Sequence, residues 1–154
     1  MAFRRKWIEP FKVDNLRLDP VEEGTETSGL PEEVFEEGDW VVLGDIEPEK
    51  PMDFDEFSTE LYFAQEEILS KAFKILKRKL EQQGYEIELS DRPLFHATPA
   101  EKLRIWYIVK KYGKPIAYCD LVITEPEMTE TKEGVMPFAE LTTVCISVPE
   151  RKRR

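Results

Sequence analysis

A catalytic or metal centre would have to be built from one histidine (His96), two cysteines (Cys119 and Cys145) and a surplus of carboxylates. His96 stands between Phe95 and Ala97 in a proline-containing loop, 91–100. A general base needs a partner within hydrogen-bond reach, and the sequence supplies none, so His96 reads as a surface or loop-packing residue. The cysteines are 26 positions apart in apolar, strand-like runs, with no C-x-x-C and no neighbouring histidine. That spacing indicates neither a zinc site nor a disulfide framework, and buried reduced thiols are expected. A Cys–His nucleophile pair fails as well, because strand parity buries the Cys119 sulfur. Asp53-Phe54-Asp55 opens like a calcium loop, but Ser58 and Ala64 stand where a glycine and a bidentate glutamate are needed. Glycine-rich phosphate loops, G-x-S-x-G elbows and H-E-x-x-H helices are absent from the sequence. The expectation is a protein without catalytic residues, cofactor or metal.

One pattern does have a chemical counterpart. Asp120, nine intervening residues and then Glu130-Thr131-Lys132 resembles the D…E-x-K spacing of the restriction-enzyme-like nucleases. The resemblance implies two carboxylates on a divalent cation and a lysine steadying the attacking water. That family carries both halves on paired strands, whereas Glu125 to Glu133, with Pro126, reads here as a loop.

The elements that would position such groups follow from charge and periodicity. The 154 residues carry a net charge of −10, with 41% hydrophobic and 11% aromatic residues, enough for one domain with a core. The longest apolar run, Ile105 to Val109, has the length of a strand and not of a membrane span. The basic start, Arg4-Arg5-Lys6, leads into Glu9, Pro10, Lys12 and Asp14 where a signal peptide would be apolar. With thiols expected to be reduced, the reading is an intracellular (cytoplasmic) or virion-borne protein. Residues 21–60 hold fifteen acids against Lys50 alone. Residues 10–53 also hold five of the eleven prolines and show no sustained period, so 1–53 reads as an extended arm with a basic start and an acidic body. Its large apolar residues are anchors, and Trp40-Val41-Val42-Leu43 suits a strand added to a sheet edge, on this chain or another.

From Asp53 the pattern becomes helical. Asp53 with Glu56 forms a capping box, bases crowd the far end, and Gly84 suits a left-handed terminus. The apolar side chains, Tyr62 and Phe73 included, fill an arc of roughly 180°, wider than one sheet contact requires. Beyond Gly84, Tyr85 to Ser90 alternates. Leu103–Lys111 and Ile116–Thr124 flank the turn Tyr112-Gly113-Lys114-Pro115, and a last strand covers about 140–148. The fold class is α+β: one long amphipathic helix packed on a roughly four-stranded antiparallel sheet, occupying 54–149 and followed by a basic tail, 150–154.

Hairpin parity separates two faces. Leu103, Ile105, Tyr107, Val109, Ala117, Cys119, Leu121 and Ile123 meet the helix. The opposite face carries Arg104, Trp106, Ile108 and Lys110 beside Ile116, Tyr118, Asp120 and Val122, too apolar to stand uncovered. Partner-binding residues are therefore expected at Trp40, Val41, Val42, Leu43, Arg104, Trp106, Ile108, Lys110 and Tyr118. The function expected is a non-enzymatic assembly subunit of a larger complex, homo- or hetero-oligomeric and without a membrane, such as a phage head, neck or tail accessory protein. A nucleic-acid-binding or transcription-modulating module, stacking bases on Trp106 and Tyr118, is the alternative. The metal-dependent nuclease is third.

Overall fold

The computed structural model describes residues 8–21, 40–91 and 103–148. His96, the basic start and the tetrabasic tail lie outside the described residues, as does the side chain of Trp40.

The helix α1 runs Phe54–Gln82. Its start is fixed by Asp53, whose carboxylate accepts the Glu56 backbone N–H at 2.8 Å. Its end is fixed by Gly84 at φ +92°, a conformation only glycine adopts freely. The Tyr85 N–H then returns to the Leu80 carbonyl at 3.1 Å and the Gly84 N–H to that of Glu81 at 3.0 Å, closing a Schellman motif. Phe57, Leu61, Ala64, Ile68, Leu69, Ala72, Leu76 and Leu80 form its buried face. Tyr62, counted in the apolar arc, is instead 70% exposed.

The sheet is larger than the four strands expected. β1 (Phe11–Val13), β2 (Leu16–Pro20), β3 (Trp40–Pro48), β4 (Glu86–Ser90), β5 (Arg104–Lys111), β6 (Lys114–Ile123), β7 (Glu127–Thr131) and β8 (Gly134–Ser147) pair antiparallel throughout. Seven lie in the order β1-β2-β3-β8-β6-β5-β4, and β7 pairs with the start of β8. The extra strands come from two places. β1, β2 and β3 are drawn from the segment expected as an arm; β3 adds to β8 along its length and is covered by β2 only over residues 44–48. β7 falls in the stretch expected as a loop. It continues β6 along β8, the register moving by one residue across Glu125-Pro126, from Ile123↔Leu141 to Glu127↔Phe138.

α1 touches both edge strands, β1 and β4, so the sheet curls around it. This accounts for the wide apolar arc of the helix. Leu16, Leu18, Ile46, Leu141, Leu121, Tyr107 and Val109 line the inner face of the sheet and bury fully against it. Each such side chain contributes roughly 1.5–3 kcal/mol on leaving water. Gly44 lies at a register slip between Val42 and Gly44. A Cβ there would sit 2.9 Å from both the Asp19 carbonyl oxygen and Leu18 Cδ2, so the close approach of β2 to β3 requires glycine.

The hairpin parity holds at its centre. The turn residues Tyr112 and Gly113 have φ +55° and +75°, the pair of positive values a two-residue hairpin turn needs. Ile116 departs from the expected face. It is skipped where the register slips between Val109↔Ala117 and Lys110↔Pro115, and it packs against the core. Leu103, expected inside, precedes β5 and is 43% exposed.

Cys119 and Cys145 are buried as expected but are joined in a disulfide. The two strands place them directly opposite one another, with Cα atoms 4.1 Å apart. The expectation of reduced thiols is corrected, and the argument from it to a reducing compartment goes with it. No helix among the described residues is long and apolar enough to cross a membrane.

Candidate functional site: the outer face of the sheet

Strand register assembles the outer face as rows running across the sheet. The first row is Ser90, Trp106, Asp120, Val144 and Trp40, and the next on one side is Arg104, Val122, Thr142 and Val42. On the other side lies Glu88, Ile108, Tyr118 and Ile146. Toward β2 a further row is made of Asp19, Asp45 and Glu140.

At the centre Asp120 is fully enclosed. Its Oδ2 accepts from Arg104 Nη1, and its Oδ1 accepts the Val144 backbone N–H at 3.1 Å. Burial pushes the Asp120 carboxyl up, opposed by the Val144 amide and the Arg104 guanidinium. A second chain of bonds ties the same residue to the inner face. The Asp120 carbonyl can only accept, so the Thr143 hydroxyl proton goes to it, and the Tyr107 hydroxyl must donate to Thr143 Oγ1, at 2.8 Å. Burial pushes the Tyr107 phenol well above its ordinary range, so it stays a donor.

Lys110, the other base expected on this face, is also neutralised. Lys110 Nζ lies 2.5 Å from Glu88 Oε2, and that carboxylate holds the ammonium above its usual value. The row Asp19–Asp45–Glu140 sets three carboxylates abreast. Burial, then Glu140 and Asp19, push the Asp45 carboxyl up. Burial likewise raises Glu47, against the pull of Arg17, which is held between Glu47 at 3.1 Å and Asp19 at 3.2 Å. Beyond this row a cleft of about 400 Å³ opens where β3 leaves β8, with Glu47, Lys50, Lys132, Met136 and Phe138 among its walls.

The residues singled out from sequence fall into three groups. Trp106, Ile108, Lys110 and Tyr118 come together on the outer face, half-buried. Arg104 belongs to the same face but is committed to Asp120. Val42 and the backbone of Trp40 extend that face on β3, whereas Val41 and Leu43 point inward to the core, Leu43 being buried outright. β2 covers β3 only over residues 44–48, so Trp40, Val41 and Val42 are paired with β8 alone among the described residues. Sequence reasoning missed the acidic row, because its three members are brought abreast by pairings among β2, β3 and β8 that no local pattern announces.

The nuclease-like constellation does not form. Asp120 is opposite Val144 and Glu130 opposite Val135, nine residues apart along β8, which is about 30 Å of strand. Two carboxylates so separated cannot share a cation. Among the described residues no group of three or more His, Cys, Asp or Glu side chains is arranged to hold a metal ion. No protein-family model, curated protein or solved structure matches the chain.

Proposed function

We propose that the protein is a non-enzymatic assembly subunit whose outer sheet face docks onto another protein. The observation that carries this reading is the strip Ile108–Tyr118–Ile146. It is in register across β5, β6 and β8, half-buried and apolar, and flanked on the same face by the buried Arg104–Asp120 pair. A rigid apolar strip rimmed by charge is the usual anatomy of a protein interface. The electrostatics favour protein over nucleic acid. Arg104 and Lys110 are already paired with carboxylates, and the row Asp19–Asp45–Glu140 on the same face repels phosphate.

A photo-crosslinking residue at Ile108, introduced in the cell that makes the protein, tests the reading. A covalent protein adduct that is absent when the same residue replaces the exposed Glu130 of β7 is the expected result. A nucleic-acid adduct would support the stacking alternative instead, and no adduct at position 108 would remove both.

A further inference from the structure

We propose that the exposed face of α1 is a second docking surface, and that its occupant is the same face of a second copy of this chain, packed antiparallel. The surface is distinct from the outer sheet face, so its failure leaves the reading above intact.

Two observations point to it. The first is aromatic exposure. Tyr62 and Phe63 are 70% and 78% exposed and contact each other edge-to-face, with ring centroids 5.4 Å apart. Phe63 faces away from the buried row Phe57–Leu61–Ala64–Ile68, in the middle of the solvent side. Aromatic side chains in that position add nothing to the fold and are what interfaces use as anchors.

The second observation is charge order along the same side. Asp55, Glu56, Glu60, Glu66 and Glu67 occupy the first half of α1 without a base among them. Lys71, Lys74, Lys77 and Arg78 occupy the second half, where Glu81 is the sole acid of the helix; Lys71 is paired with Glu67 and Arg78 with Glu9, which leaves Lys74 and Lys77 for a partner. A parallel neighbour would set like against like. An antiparallel one sets acid against base twice, as a twofold interface requires of a self-complementary patch. Turning α1 about its midpoint at Ile68 brings the turn of Phe63 opposite that of Lys74 in the other copy, within the geometry of a cation–π contact. The same rotation brings Glu56 and Glu60 opposite the turn of Lys77. Lys74 and Lys77 are both exposed, and neither is in an ion pair among the described residues. The helix is about 43 Å long, so a strip some 10 Å wide gives roughly 450 Å² per copy. That places the dimer among weak, salt-sensitive associations.

Charge complementation by sedimentation tests this on the full chain. At low salt the protein should be largely dimeric by about 200 µM, as a weak association of this interface class requires. Lys74→Glu with Lys77→Glu should weaken self-association about tenfold or more, and so should Glu56→Lys with Glu60→Lys. Mixing the two variants should restore a dimer, because each then offers what the other lacks. That rescue cannot come from misfolding, and helical circular dichroism of each variant confirms the fold. A wild-type protein that stays monomeric, a dimer indifferent to either charge reversal, or a mixture that fails to associate would each overturn the proposal.

Discussion

The Arg104 guanidinium and the Asp120 carboxylate face each other diagonally across β5 and β6, with the Asp120 side chain wholly removed from solvent and the Arg104 side chain 9% exposed. An ion pair so enclosed gains Coulomb energy only by giving up the hydration of both ions. Its value lies less in net stability than in fixing the register of the central strands. Asp120→Ala removes the carboxylate that the buried Arg104 guanidinium and the Val144 amide share, and should cost about 3–5 kcal/mol in urea unfolding. The double replacement Arg104→Met, Asp120→Val should recover most of that loss. If the double variant is as unstable as the single, the pair contributes more than the account allows.

Gly44 should resist even a methyl group. Its absent Cβ leaves the space that the Asp19 carbonyl and Leu18 occupy. Gly44→Ala must push β2 from β3 and should destabilise by about 1–3 kcal/mol, read from the urea midpoint at unchanged slope.

The acidic row gives the protein a pH dependence of definite sign. Asp45 has its carboxyl raised above 3.8 by burial and by Glu140 and Asp19. The fold therefore binds that proton more tightly than the unfolded chain does. Its contribution is fullest below 3.8 and is lost as pH rises through the folded value. Asp45→Asn should stabilise by about 0.5 kcal/mol at neutral pH, and the gain should fade as pH is lowered toward 3.8. The check is the difference between the two unfolding free energies as a function of pH. A gain that grows on acidification would contradict the assignment.

Much of this architecture was written locally. Asp53, Glu56 and Gly84 announced both ends of α1, and Tyr112-Gly113 announced the β5–β6 turn, because caps and turns depend on neighbours within a few residues. Alternation around Tyr107 and Cys119 sorted the two faces of the hairpin. What stayed hidden depends on distant partners. β2 is five residues long, ends on a proline and lies nineteen residues from β3, so it does not read as a strand until β3 is beside it, and of β3 only the run from Trp40 to Leu43 was legible. β7 is exposed along its whole length, so burial leaves no period in it. Of the outer face, Trp106, Ile108 and Tyr118 were legible by parity, whereas the commitment of Arg104 to Asp120 and the inward turn of Leu43 required the full sheet.

The disulfide makes a prediction of its own. Cys119 is fully buried and Cys145 is 2% exposed, so alkylation in native buffer with mild reductant should label neither, and labelling should appear only on unfolding. Replacing both by alanine opens the loop between them and should cost about 3–4 kcal/mol. Mass spectrometry of the native chain, showing two free thiols before any reductant, would contradict the pairing.

The central claim is that the outer sheet face is an assembly surface for protein. It is tested most directly by the native mass of the species that contains this chain in nuclease-treated extract, with and without Ile108→Asp and Tyr118→Asp. The account predicts a complex heavier than two copies of the 18.1 kDa chain, insensitive to nuclease and reduced to one or two copies by the double substitution. A wild-type species of one or two copies, or a larger one that survives both substitutions, would contradict it.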